Sequence, residues 1–290
     1  MYAASLPSEA GAPVAAARTG NRSHGHARIA FGLRAGRTAL EDLFQQGCSR
    51  VLRPHVPPGA APQAVLVNTG GGITGGDSLH TEVRIGAGAG AVVTSQAAEK
   101  VYRSAGGESH VTTALSVAEG GWLAWLPQET ILFDGGRLER ETRISVAPGA
   151  RLLACEAIGF GRQARKERVH SGLLRDSWRL ERDGKLAWAD SLRLDGDIAD
   201  ILARPAIADG ATALASVLYV AEDAETLLSV ARDLAGCAHV TAAATSLGHV
   251  LLARFAADSL YALRAELMPF LGLMLEAAAI PAALPQAWSQ

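Results

Sequence analysis

Large aromatic side chains are scarce in this chain: of 290 residues only 5% are Phe, Trp or Tyr, whereas 31 are glycine. Small side chains must carry much of the packing, which favours closely stacked strands over a core built on rings. Charge is sparse as well, with 19% Asp, Glu, Lys and Arg and a formal net charge of -2. No basic stripe with interleaved aromatics is present, which argues against a nucleic-acid partner. No apolar run approaches the ~18 residues that a membrane-spanning helix needs. Cys48, Cys155 and Cys237 are odd in number and lack CxxC spacing. A cytoplasmic chain with reduced thiols and no disulfide framework is therefore expected. The first residues, MYAASLPSEAGAPVAAA, have neither a basic n-region nor an apolar h-region. They read as part of a disordered tail over 1–20 rather than a signal peptide.

The most informative stretch that is present runs from Asn68 to Ser104. Its TGGGITGGD segment packs five glycines into seven residues and ends on Asp77. Such density serves positive φ or a close backbone approach. No Gly-Lys-Ser/Thr follows, and SLHTEVRI alternates like a strand instead of opening a helix. A P-loop and a dinucleotide fingerprint are thereby excluded, leaving a tight, bulged β turn that Asp77 can cap.

An internal repeat occupies the middle of the chain. VRIGAGAGAVVTSQ, LSVAEGGWLAWLPQ and ISVAPGARLLACEA share a strand–Gly-turn–strand pattern, and WRLERDGKLAWADS is a looser fourth copy. The aligned glycines, Gly88, Gly120, Gly149 and Gly184, recur about every 30 residues, and Gln96 falls level with Gln128. One such unit cannot bury its own apolar face, so the repeat predicts stacked strand layers resembling a β-helix, with a plain antiparallel sandwich as the competing architecture. The β body spans 21–205, with one helix expected over Thr38–Gly47 (TALEDLFQQG). From 206 to 290 the pattern becomes a small α+β portion. Its two helices are DAETLLSVARDLAG, capped by Asp223 and stopped by Gly236, and SLYALRAELMPFLGLMLEAAA, opened by Asp258 or Ser259 and kinked or split at Pro269.

Several clusters could carry chemistry. His24 and His26 form an HxH that would share one face of a strand. No third ligand lies near them in sequence, so they read as an exposed loop pair. Asp77, Glu99, Glu129, Asp134, Glu156, Glu167 and Asp190 recur along the β body. Paired carboxylates on stacked strands could serve a carbohydrate-active enzyme, although solvent-facing positions are their usual place. No G-x-S-x-G elbow supports a serine hydrolase. RLERETRISV and RQARKERVH read as solvated charge patches.

Four ordered blocks, TGGGITGGDSL, TSQAAEKVYRS, WLPQETILFDGG and CEAIGFGRQARKE, resemble the UreD family (UreH in some bacteria) of urease accessory proteins. The likeness runs from about Asn21 to Trp288. Ser95 stands where the family favours threonine, Lys166 where it favours glycine, and Gln286 where it favours arginine. The resemblance implies a largely β, helix-like stacked fold and no catalytic turnover. It also implies a scaffold acting with UreF and the GTPase UreG on the urease apoprotein, with a dimer of that complex as one arrangement. Nickel would pass transiently through such a subunit with no cofactor held permanently. Sparse oxygen donors suit that task better than a closed Cys/His site. By motif position and side-chain chemistry, Asp77 and Glu167 are candidate metal contacts and Thr94 and Ser95 a polar path.

Overall fold

The computed structural model describes residues 22–235 and 240–289. The expected tail over 1–20, Cys237 and the helix stop at Gly236 lie outside them. The first strands are β1 (His24–Arg34), β2 (Arg37–Gly47), β3 (Ser49–Leu52), β4 (Gln63–Asn68), β5 (Ser78–Ile85), β6 (Gly90–Ser95), β7 (Glu99–Val101) and β8 (Ser109–Val117). Then come β9 (Trp122–Leu126), β10 (Thr130–Leu132), β11 (Arg137–Val146), β12 (Arg151–Phe160), β13 (Gly172–Arg182) and β14 (Lys185–Gly196). The remaining strands are β15 (Ala213–Val220), β16 (Thr241–Leu247) and β17 (Val250–Ala257). Among the described residues the α-helices are α1 (Ile198–Leu202), α2 (Leu228–Ala235) and α3 (Leu260–Ala277).

Two sheets face each other. The first has the order β14-β13-β11-β8-β5-β1-β2, and the second β16-β17-β15-β12-β9-β6-β4-β3 with β7 and β10 beside it. Between β4 and β13 the chain alternates sheets, and each strand pairs in parallel with its counterpart one coil later. This is the stacked, solenoid-like β arrangement that the repeat predicts. Gly88, Gly120 and Gly149 make the turns between sheets with φ of 66°, 67° and 73°, a region that residues with a Cβ occupy at a cost. Gly184 serves a different purpose: the fourth copy is an antiparallel hairpin, β13–β14, within the first sheet.

Inward positions of the first sheet alternate with polar outward ones, as in Leu138, Arg140, Thr142, Ile144 and Val146 on β11. Val83, Ile85, Leu115, Val117 and Ile144 close one end of the interior against Ala89, Val93, Leu123 and Leu152. Ile73, Val101, Leu132, Leu138, Ile158 and Phe160 form a second apolar cluster at the other end. The second sheet's opposite face is covered by α2 and α3, with Leu153, Cys155, Leu263, Leu267 and Phe270 in a third cluster. β15 continues that sheet by pairing antiparallel with β12, so 213–257 extends the same layer.

Two local expectations are corrected and a third is narrowed. Thr38–Gly47 lies within strand β2 and is not a helix. Its pairing with β1 skips Glu41, since Ala30 faces Asp42 and Phe31 faces Leu40. That bulge shifts the alternation, so Leu40, Leu43 and Phe44 imitate helical spacing. His24 and His26 lie on β1 and not in a loop. Helix α3, capped by Ser259 as expected, continues past Pro269, so of the two outcomes expected there the split does not occur. Among the described residues no helix is long and apolar enough to cross a membrane.

The C-terminal end is clasped from α3. Arg264 donates to Gln128 Oε1 (2.7 Å) and to the carbonyls of Ala287 (3.0 Å) and Trp288 (2.6 Å). The Trp288 indole donates to the Leu126 carbonyl at 2.9 Å. Arg264→Ala should cost about 2–3 kcal/mol by leaving these acceptors unpaired, and should red-shift Trp288 fluorescence. A denaturation midpoint equal to that of the parent chain would contradict the clasp.

Candidate functional site

A cavity of about 210 Å³ lies between the two sheets, between their two apolar ends. β5, β8 and β11 contribute Leu79, Thr81, Val111, Thr113, Leu138 and Arg140. The facing wall carries Ser95, Gln96, Glu99, Trp125, Gln128, Thr130 and Glu156. Strand alternation explains the lining, because Thr81, Thr113 and Arg140 occupy inward positions that are apolar farther along the same strands. Gly71 and Gly72 of the Gly-rich loop border it. A Cβ on Gly72 would sit 2.7 Å from the Lys100 carbonyl and 2.3 Å from the Tyr102 ring, so glycine permits the loop's close approach there.

Among largely apolar walls the cavity holds charged and hydrogen-bonding side chains that a core would lack. Arg140, 8% exposed, donates to Asp176 through Nε (3.0 Å) and Nη2 (2.5 Å) and to Thr130 Oγ1 (3.3 Å). Its Nε lies 3.0 Å from Glu156 Oε2, and Thr142 donates to Glu156 Oε1 at 3.0 Å. Burial opposes the Arg140 charge, but Asp176 and Glu156 outweigh it and keep the guanidinium firmly protonated. Burial pushes the Glu156 carboxyl upward, with Arg140 pulling the other way. Breaking this cluster from one side would strand a buried charge.

Glu99 stands apart from the cluster. Asn68 Nδ2 donates to both its oxygens, at 3.1 and 3.2 Å. Burial raises its carboxyl to about 7 despite the bonds from Asn68 and the Lys100 backbone. A carboxylate that titrates there exchanges a proton for a cation readily at neutral pH. Gln128 adds a further unsatisfied group: Arg264 occupies its Oε1, while its buried Nε2 has no hydrogen-bond partner.

The four residues expected from sequence are dispersed by the fold. Asp77 is 5% exposed, and its oxygens accept the Ser23 N–H and the Thr74 N–H, each at 2.8 Å. It caps the Gly-rich loop. Thr94 donates to the Leu126 carbonyl at 2.6 Å, tying β6 to β9. Ser95 lines the cavity, donating to the Ala97 carbonyl (3.2 Å) and accepting from the Gln128 N–H (2.8 Å). Glu167 lies in a separate surface recess with Tyr102, Arg103, Phe133, Asp134 and Arg162. Arg162 holds it through Nη2 (2.6 Å), Nε (2.8 Å) and its backbone N–H (2.9 Å), and this pairing keeps the Glu167 carboxyl below its usual range. Glu99 and Glu156 face the cavity instead. The signal for them was their place inside the TSQAAEK and CEAIGF blocks, and the alignment of Gln96 with Gln128 pointed to the same wall.

Charged neighbours assign Arg140 to a solvated patch, yet it is buried; Glu139, Glu141 and Arg143 do face outward.

A family model described as UreD urease accessory protein matches residues 23–289. The chain belongs to the UreD family. It is 42% identical over 268 residues to a urease accessory protein UreD of Chelativorans sp. (strain BNC1), covering 92% of this chain and 94% of that one. It is likewise 42% identical over 285 residues to a UreD of Rhodopseudomonas palustris (strain HaA2), covering 98% and 99%. A UreD of Magnetococcus marinus is 47% identical over 208 residues, 72% of each chain. Membership makes this an accessory protein rather than an enzyme, and the carbohydrate-active alternative is set aside.

The glycine that the resemblance leads one to expect at Lys166 would have a physical reason. Lys166 sits at φ 54°, ψ 29°, closing the turn after Gln163–Arg165. Lys166→Gly should therefore stabilise the chain by about 1 kcal/mol, read as a raised denaturation midpoint. A lowered midpoint would refute the strain argument.

Glu99 makes stability depend on pH. The folded chain keeps this proton up to about 7, whereas an unperturbed carboxyl loses it near 4.5. The unfolded state thus binds fewer protons across that window, and the Glu99 contribution declines as pH rises. Relative to the parent, Glu99→Gln should gain up to about 3 kcal/mol between the two ends of the window. Parallel stability curves for the two proteins would exclude a raised Glu99.

Proposed function

We propose that this UreD-family chain works in the cytoplasm as a scaffold and nickel conduit, in a complex with UreF and the GTPase UreG that promotes Ni²⁺ insertion into apo-urease. The observation that carries the reading is the cavity between the sheets, with the carboxylates of Glu99 and Glu156 on one wall. Nickel in transit needs oxygen donors that bind without trapping it. Glu99 supplies one whose occupancy by a cation requires loss of a proton, so affinity is moderated near neutrality. Asn68 orients that carboxylate, and the Ser95, Thr113 and Thr130 hydroxyls offer neutral oxygen nearby.

The remaining residues shape the route. Asp77 fixes the loop that brings Gly71 and Gly72 to the cavity, and Thr94 holds the two strands behind Ser95. Glu167 stays a candidate for transient contact at the outer recess, where an arriving cation would compete with Arg162. A dimer of the accessory complex is compatible with this role.

The test is activation of apo-urease by nickel, bicarbonate, GTP, UreF and UreG. Omitting this chain should abolish activation. Glu99→Gln should slow it about tenfold, the effect of losing about 1.4 kcal/mol of cation affinity, with folding and retention of UreF unchanged. Equal activation without the chain would remove the accessory role, whereas full activity of Glu99→Gln would remove only the conduit through this cavity.

A further inference from the structure

On the outward face of the first sheet, away from the cavity, parallel pairing sets His26 of β1 beside His80 of β5, and His80 beside Thr112 of β8. Glu82 follows two residues after His80, on the same face. His26 Nε2 and His80 Nε2 both lie 3.2 Å from one oxygen, Glu82 Oε1. The imidazole centroids are 4.7 Å apart, and one ligand atom from each of the three residues falls within 4.8 Å of the others. We propose that His26, His80 and Glu82 form a divalent transition-metal site, for Ni²⁺ or Zn²⁺, on the outer face of the protein.

Geometry supports this assignment. With ligand bonds of about 2.1 Å, neighbouring donors stand about 3.0 Å apart in an octahedron and about 3.4 Å apart in a tetrahedron. The two nitrogen–oxygen separations of 3.2 Å already lie between those limits. The surroundings also direct the donors. His80 Nδ1 is 2.6 Å from Thr112 Oγ1, so with Nδ1–H donating to that hydroxyl, Nε2 presents its lone pair to the ion. Arg84 donates to the other oxygen, Glu82 Oε2, at 2.9 Å, leaving Oε1 for the metal. Phe44 packs edge-on against His26 with centroids 5.0 Å apart and limits its ring on the β2 side.

A side-chain carboxylate is ionised at neutral pH and so able to ligate. Imidazole nitrogen with one carboxylate is a donor set suited to nickel and zinc and poorly suited to calcium or magnesium. Side-chain exposures of 31% for His26, 42% for His80 and 21% for Glu82 leave water to complete the coordination. Such an open site exchanges its ion, unlike a closed structural one.

This inference does not depend on the internal conduit, and its readout is metal binding rather than urease activation. Equilibrium dialysis of the full chain, with Ni²⁺ and separately with Zn²⁺, would count bound metal. The His26→Ala/His80→Ala variant should bind one equivalent fewer than the parent. Thr112→Val should weaken the site about tenfold, as loss of an orienting partner does. X-ray absorption of the nickel-loaded parent should show imidazole scattering, a signature that needs no variant to fold. Absence of imidazole scattering, or unchanged metal stoichiometry in a folded double variant, would overturn the assignment.

Discussion

Parallel, in-register pairing of successive coils is the constraint on which the rest of this structure depends. Because each strand of a sheet lies about 4.8 Å from its counterpart one coil later, equivalent positions become lateral neighbours. Apolar positions stack into two closed ends, and polar inward positions collect between them. Arg140 on β11 thereby meets Asp176 on β13, its direct register partner. The same rule on the opposite face sets His26, His80 and Thr112 in one row. One ladder thus creates both an interior cavity with buried charged groups and an exterior donor cluster.

The interior cavity is held open at a thermodynamic cost. A guanidinium at 8% exposure must have its desolvation offset by nearby acids, and Asp176 and Glu156 do so. Together with Thr130 and Thr142 they resist the collapse that apolar replacements would allow. Glu99 sits outside that network and retains a proton near neutrality. A rigid charge cluster beside a titratable carboxylate suits transient handling of a cation better than permanent capture.

The legibility of these features in sequence follows their range. Glycine turns about 30 residues apart disclose the coils, because backbone closure between sheets needs left-handed residues at fixed places. The Gly-rich loop is likewise legible as a turn capped by Asp77, a contact spanning three residues. Strand β2 imitates a helix because a bulge at Glu41 breaks its alternation, and only its pairing with β1 shows the extra residue. Arg140 is hidden because charged neighbours on both sides resemble a solvated run, while strand alternation sends it inward alone.

Sequence alone determined the family, the stacked β class and the presence of helices in the C-terminal portion. These rest on local backbone preference, on periodicity and on ordered motifs, all of which are written along the chain. Tertiary structure decided which carboxylates share a cavity and which are consumed by neighbours. It turned Glu167 toward Arg162 and Asp77 toward backbone N–H groups, and it set Glu99 and Glu156 along the interior. It also gave His26 a second imidazole from a strand 54 residues away along the chain, as His24 meets Ser78. Spacing along one strand cannot disclose such partners, because they are supplied across the ladder by a different coil.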